Sequence, residues 1–272
     1  MRIARPERHR LISGAVATVL VASGIVAGAA LPASATDFGH HDRTTYVALG
    51  DSYAAGQGGG PWLDPCHHTD GGYTDVLDAR RGIDLVREPS CAAATTVDVL
   101  ARQIRALNRR VELVTVTIGG NDANFLGVAG ACLPAPESAE CGVQLATATR
   151  ILTTPGLFHS LRKTFARIAA AAPRARIVVT GYPMLFSGAA AAGGLGKTFN
   201  DSTVILNATI AAAAYSVKAH NRADIAYVGA FSGHGVGSAD PWIVGVEDPA
   251  NALHPNVLGY KAYAKLIARA IR

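Results

Sequence analysis

Charge is scarce in this chain: Asp, Glu, Lys and Arg make up 17% of its 272 residues, while 49% are hydrophobic. A composition that apolar excludes intrinsic disorder. Clustered basic residues are missing as well. The formal charge of +5 includes Arg2, Arg5, Arg8 and Arg10 against Glu7, so residues 36–272 carry only +2. A nucleic-acid partner, which needs a basic face, is therefore not expected. Aromatic residues are few at 6% and glycines many at 29, a pattern of small side chains and abundant loops. After Leu31 every apolar run is short or broken by Gly, Pro or charge, so no later segment can span a bilayer as a helix. Cysteine is limited to four. His40-His41 and Cys66-His67-His68 lack a second ligand cluster at zinc spacing, so neither a metal nor a cofactor is expected.

What is present begins with an address. Four arginines precede an apolar stretch from Leu11 to Leu31, and Pro32-Ala33-Ser34-Ala35 offers a small-x-small cleavage site. Residues 1–35 read as a secretory signal, residues 36–44 as a flexible leader and residues 45–272 as a single domain, with no repeat or linker dividing it. Retention of the apolar stretch as a membrane anchor is the rival reading. Export makes two disulfides the expectation for an even cysteine count. Three pairings are open. Cys132 and Cys141 bracket a Pro-rich loop and could close a small ring, which leaves Cys66 with Cys91; free buried thiols are the alternative.

Strand and helix signals alternate along the domain. Thr45–Leu49, Ile83–Glu88, Val111–Ile118, Arg176–Thr180 and Asp224–Val228 read as strands. Tyr73–Ala79, Val97–Asn108, Phe158–Ala171, Asn200–His220 and Pro255–Ile271 read as helices, the last with proline at its start. In the second of these, Val97, Leu100, Ile104 and Leu107 fall on one face. Gly56–Gly72 and Gly188–Gly196 read as loops. The alternation implies a mostly parallel sheet covered on both faces, the α/β class.

In such a sheet functional groups gather at the carboxyl ends of the strands. Three polar clusters fall there. Gly50-Asp51-Ser52-Tyr53 follows the first strand, where a tight turn would present the Ser52 hydroxyl beside backbone N–H groups. Gly119-Gly120-Asn121-Asp122 follows the third, and an asparagine amide can donate to an oxyanion. Leu253-His254-Pro255-Asn256 stands before the last helix, placed to return a histidine to the same end. Each cluster alone is ordinary turn chemistry; their order and placement together are specific.

These stretches resemble the SGNH (GDSL-type) serine hydrolases, and most closely their secreted, disulfide-bearing bacterial lipase/esterase branch. Tyr46-Val47-Ala48-Leu49-Gly50-Asp51-Ser52-Tyr53, Thr115-Val116-Thr117-Ile118-Gly119-Gly120-Asn121-Asp122 and His254-Pro255-Asn256 carry the likeness. It implies a three-layer α/β/α, flavodoxin-like fold, with Ser52 as nucleophile, His254 as base and Asn121 as an oxyanion donor. Two departures stand out. Ala93, in Ser90-Cys91-Ala92-Ala93-Ala94-Thr95, takes the place of the family's oxyanion glycine; its N–H survives the exchange if alanine tolerates the local backbone angles. Asn251 stands where the family's triad acid is usual. The branch implies a Ser–His dyad in which the Asn251 carbonyl accepts from His254 Nδ1–H, with Asp248 as the rival acid. It also implies the pairings Cys66–Cys91 and Cys132–Cys141.

The expected function is a secreted esterase or lipase, a monomer acting on small-molecule or lipid carboxylic esters. A carbohydrate O-acetyl esterase and a non-catalytic cell-wall glycan-binding module are the alternatives. Trp62-Leu63, Phe125-Leu126, Leu185-Phe186 and Trp242-Ile243 are candidates to line an acyl pocket, and Gly188–Gly196 could form a lid. Asp122 is expected to cap the segment after it. Asn207-Ala208-Thr209 fits a glycosylation pattern but falls within a predicted helix.

Overall fold

The computed structural model describes residues 43–271. The expected export signal, the leader as far as residue 42, and His40 and His41 lie outside the described residues. Thr44, assigned to the leader, is the first residue of a strand.

Five strands, β1 (Thr44–Gly50), β2 (Ile83–Arg87), β3 (Leu113–Thr117), β4 (Arg176–Thr180) and β5 (Ile225–Val228), pair in the order β2-β1-β3-β4-β5, every neighbour parallel. The inner strands read as near-continuous apolar runs because a parallel sheet is covered on both faces. Residues 113–117 of β3 are all buried, whereas the edge strands β2 and β5 are half-exposed. Among the described residues eight helices connect and cover the strands: α1 (Ser52–Ala55), α2 (Tyr73–Asp78), α3 (Thr96–Ala101), α4 (Phe125–Cys132), α5 (Ala139–Thr153), α6 (Pro155–Ala171), α7 (Gly194–Asn221) and α8 (Val257–Ile271). Helices α2 and α8 pack on one another, as do α6 and α7, with α3 against α6. Right-handed crossovers put these two groups on opposite faces of the sheet.

Under α2 and α8 the core contains hydroxyls. Thr115 and Thr117, two apart on β3, share that face. Tyr46 Oη meets Thr115 Oγ1 at 2.7 Å, Tyr73 Oη meets Thr117 Oγ1 at 2.9 Å, and Thr117 continues to Thr180 at 2.6 Å. Each of these five hydroxyls has a partner, so burying it costs little.

The structure amends several expected elements. Helices α4 and α5 fill residues to which the sequence assigned no element, on either side of the expected loop, and the Cys132–Cys141 bond clips them together. The helix expected over Val97–Asn108 stops at Ala101 and resumes as a 3₁₀ turn, Gln103–Ala106. Its inner face is Thr96, Val99 and Gln103; Val97 is 69% exposed. The Gly188–Gly196 loop is a 3₁₀ turn, Gly188–Ala191, followed by the first residues of α7. The last helix starts at Val257, because Pro255 pairs across to Ile243 in an isolated bridge.

The register Tyr46↔Leu113 through Gly50↔Thr117 sets the carboxyl ends of β1 and β3 side by side. The chain leaves β1 toward β2 and returns across it to β3, so the strand order reverses there, opening a crevice at the strand ends. Gly50 closes β1 at φ +137°, and a Cβ there would lie 2.2 Å from the Thr117 carbonyl oxygen. We therefore expect Gly50→Ala to destabilise the fold by at least about 3 kcal/mol, read as a lowered urea midpoint or loss of soluble protein. A midpoint equal to the parent's would refute the steric argument.

Candidate active site

Strand β1 delivers Ser52 to the crevice. The Asp51 N–H still donates to the Thr117 carbonyl at 3.0 Å, so the strand ends only at that residue. Gln103 brackets Gly50 from the side, its Oε1 accepting the Gly50 N–H and its Nε2 donating to the Gly50 carbonyl, both at 2.8 Å. That inward amide explains why α3 breaks at Arg102. Asp51 caps α1 by accepting the Tyr53 N–H at 3.0 Å. Ser52 opens the helix almost fully buried.

His254 arrives from a loop with no regular structure. Its Nε2 lies 2.8 Å from Ser52 Oγ, and its Nδ1 lies 3.0 Å from the Ala252 carbonyl oxygen. A carbonyl only accepts, so Nδ1 carries the proton and Nε2 is free to accept from the serine hydroxyl. The sequence placed this carbonyl one residue too early. The Asn251 carbonyl accepts the His254 main-chain N–H at 3.1 Å instead. A left-handed turn at Leu253, φ +64°, folds the Ala252 carbonyl back under the ring. Nor is Asp248 the partner of the imidazole: its carboxylate accepts from Asn251 Nδ2 at 2.8 Å. Tyr53 Oη donates to the Leu253 carbonyl at 2.6 Å, and its ring packs 5.0 Å from the imidazole. Burial pushes the His254 pKa down to about 4, against the Ala252 carbonyl that accepts from its ring and the Asn251 carbonyl close by, both of which raise it. The ring is thus neutral at pH 7.

Asn121 lines the same small cavity as Ser52. One N–H of its amide donates to the Ala94 carbonyl at 2.9 Å, which fixes the group and leaves its second N–H available. Ala93 sits on the neighbouring loop at φ +63°, the left-handed region that glycine occupies freely and alanine occupies at a cost of about 1–2 kcal/mol. The loop is pinned on both sides. The Cys91 N–H donates to the Gly50 carbonyl at 3.1 Å, the Ala92 N–H to the Cys66 carbonyl at 3.0 Å, and Cys66 is bonded to Cys91. Ala93 itself lines a separate surface cavity beside this loop and not the one that Ser52 and Asn121 share. Asp122 does not cap its own segment; it accepts the Thr96 N–H at 3.0 Å, at the start of α3.

Sequence reasoning passed over Tyr182. Its hydroxyl accepts the Gly120 N–H at 2.9 Å and donates to the Asp51 carboxylate, so one phenol ties the turn before Ser52 to the turn before Asn121. Asn207 of α7 holds the Tyr182 backbone through two 2.8 Å bonds, which commits the amide of the glycosylation-like motif to the interior. A tyrosine following a strand gives no local signal of such a role.

Behind Ser52 lie two adjoining spaces. The first, about 30 Å³, is lined by Ser52, Asn121, Tyr182 and Leu185. The second, about 50 Å³, is lined by side chains of α4, α5 and α7, among them Val128, Leu152 and Phe199. Gly120, Phe125, Thr203 and Leu206 border both. Of the pairs expected to line a pocket, Phe125 and Leu185 do so. Trp62 stacks on His67 with ring centroids 3.5 Å apart, and Trp242 stacks on His234 at 3.4 Å. Neither space is lined by residues 188–196. The cysteines pair as Cys66–Cys91 and Cys132–Cys141, as the sequence suggested, which removes Cys66 from any metal set. Among the described residues no helix is long and apolar enough to cross a membrane.

Asp51 is the charge whose position is least expected. Burial pushes its carboxyl from 3.8 up to about 7, against the hydrogen bonds from Tyr182 and the Tyr53 N–H that pull it down. The folded state binds this proton more tightly than the unfolded chain does. The associated stability is present below pH about 4 and lost as pH rises through about 7. The unfolding free energy of the parent, read from denaturant titrations, should therefore fall, relative to Asp51→Asn, by on the order of 3 kcal/mol between pH 4 and pH 8. Parallel pH profiles for the two proteins would remove the argument.

Residues 48–262 match the GDSL-like Lipase/Acylhydrolase family. The chain is 30% identical over 264 residues to Lipase 1 of Streptomyces coelicolor, covering 93% of this chain and 95% of that protein. Its fold is similar to the crystal structures of an extracellular lipase from Streptomyces rimosus and of phospholipase A1 from Streptomyces albidoflavus NA297. Both give a TM-score of 0.74, at 31% and 30% identity, covering 84% of this chain and 99% of each of those.

Proposed function

The chain belongs to the GDSL-like lipase/acylhydrolase family and is a carboxylic ester hydrolase of that type, and from that premise we propose that it works through a Ser52 acyl-enzyme with His254 as general base. The observation that carries this reading is the 2.8 Å contact between Ser52 Oγ and a neutral imidazole whose other nitrogen is committed to a carbonyl. His254 Nε2 takes the hydroxyl proton as Oγ bonds to the ester carbonyl carbon. The oxyanion is met by the Ser52 and Ala93 N–H groups and the Asn121 amide. His254 then gives its proton to the leaving alkoxide as the carbon–oxygen bond breaks. Water repeats the sequence and frees the serine. No carboxylate faces the imidazolium formed on the way; the Ala252 dipole is its stabilising partner.

The apolar space behind the reaction centre favours esters of extended acyl chains over acetyl groups on glycans. The related Streptomyces rimosus lipase is described as extracellular, and two disulfides fit an oxidising compartment; we read this chain as exported too. Fluorophosphonate labelling of Ser52 would set the enzyme apart from a glycan-binding module on the same scaffold.

Ser52→Ala and His254→Ala should each abolish most turnover of nitrophenyl esters. Asn121→Ala should lower kcat by roughly 10²–10³-fold with the fold retained. Undiminished hydrolysis by Ser52→Ala would end the assignment. For the acyl site, Thr203→Phe narrows the passage between the two spaces. Its kcat/KM for nitrophenyl decanoate should drop at least about tenfold relative to nitrophenyl butyrate, a difference of about 1.4 kcal/mol. An unchanged ratio would put the acyl chain elsewhere.

A further inference from the structure

The loop that carries His254 is irregular and strained, yet the imidazole must be held to within a fraction of an ångström for proton transfer. Leu253 at φ +64° is an unfavourable conformation that persists only where the surroundings over-determine it. Tyr53 holds one point of this loop, the Leu253 carbonyl. The other side-chain anchors come from a different part of the chain, the glycine-rich segment 56–72.

Trp62 Nε1–H donates to Asn251 Oδ1 at 2.9 Å. Asn251 Nδ2 donates to Asp248 Oδ2 at 2.8 Å, which fixes the amide so that its oxygen faces the indole. Gln57 Nε2 donates to the Ala250 carbonyl at 2.7 Å. These anchors are themselves anchored. The indole stacks on His67 within 8° of parallel, and His67 Nδ1 lies 3.0 Å from Gln57 Oε1. Tyr260 Oη donates to the Gln57 carbonyl at 2.7 Å, and the chain passes from His67 directly into Cys66, bonded to Cys91. Gly58 lies so near the loop that a Cβ there would come within 2.6 Å of the Pro255 carbonyl oxygen. Neither Trp62, Gln57 nor Asn251 lines either space behind Ser52. Trp62 is 43% exposed, so packing is a small part of its work. Its one polar atom is spent on the histidine loop.

We propose that Trp62, Gln57 and Asn251 are positioning residues that hold the 248–254 loop, and through it the His254 imidazole, in line with Ser52 Oγ, without touching substrate. The inference rests on His254 being the general base. It assigns the tryptophan, which the sequence suggested for an acyl pocket, to alignment of the base, and gives Asn251 a role through its side chain and not its carbonyl.

Trp62→Phe keeps an aromatic ring over His67 and removes only the N–H donor, and Asn251→Ala removes the acceptor. Each should lower kcat on nitrophenyl butyrate about five- to tenfold, with KM within about twofold, since a small misplacement of a reacting group costs rate and not binding. The rate of Ser52 labelling by a fluorophosphonate should fall by a similar factor. The double variant should be no slower than Asn251→Ala alone, because both changes break one bond. Parental kcat in Trp62→Phe, a loss confined to KM, or fully additive losses would overturn the proposal. His254→Ala separates the two levels. If it stays active, the base assignment falls and the positioning role with it; if it is inactive while Trp62→Phe matches the parent, only the positioning role falls.

Discussion

The hydrogen bond between Ser52 and His254 joins residues 202 positions apart in the chain, and much of the unusual local structure serves to close that gap. On one side, Gly50 lets β1 end against the Thr117 carbonyl and turn at once into α1. On the other, the left-handed Leu253 turns the imidazole over its own Ala252 carbonyl. Neither device is stable alone. The first needs Gln103 to satisfy both polar groups of Gly50, and the second needs Tyr53 to catch the Leu253 carbonyl. Tyr53 follows Ser52 directly, so the turn that presents the hydroxyl also supplies a support for its partner. A one-residue error in β1 would misplace both together.

Polar groups buried at the crevice are organised as a connected set. Asp51 caps α1, takes the Tyr182 hydroxyl, and through it is linked to Gly120 and so to the Asn121 turn. The ends of β1 and β3 therefore cannot shift independently, which suits a site whose proposed nucleophile and oxyanion donor follow different strands. Burial raises the Asp51 carboxyl and depresses the His254 imidazole, the expected direction for each when the charged form is desolvated. A low imidazole pKa keeps His254 neutral, as the proposed base must be. With the Ala252 carbonyl and no carboxylate as its Nδ1 partner, the positive charge it would gain in the proposed reaction would rest on backbone dipoles.

Most strands were legible from the chain because β-branched runs stopped by glycine have a period and an end that local rules read. Helices α4 and α5 were not. Residues 139–153 mix Thr, Gln and Ala with little apolar periodicity, and the helix is completed by its clip to α4 through Cys132–Cys141 and by packing against α6 and α7. The break in α3 was hidden for a related reason. Gln103 fits a helix surface in sequence, but its amide is drawn inward by the buried N–H and carbonyl of Gly50, a contact at a separation of 53 residues. Asp122 likewise found a better partner in Thr96, 26 residues away, than in the segment it precedes.

By itself the sequence determined the alternation of strands and helices, the parallel sheet, the family, and the identity of the serine, asparagine and histidine brought to its carboxyl edge. Those follow from side-chain periodicity and from short motifs, which are properties of neighbours along the chain. Only the tertiary structure decided which carbonyl steadies His254, what Asp248 and Asn251 bind, that Tyr182 bridges two turns, and that Trp62 faces the histidine loop and not a pocket. Each of those depends on a hydrogen bond between segments far apart in sequence, and no local rule sets the distance between them.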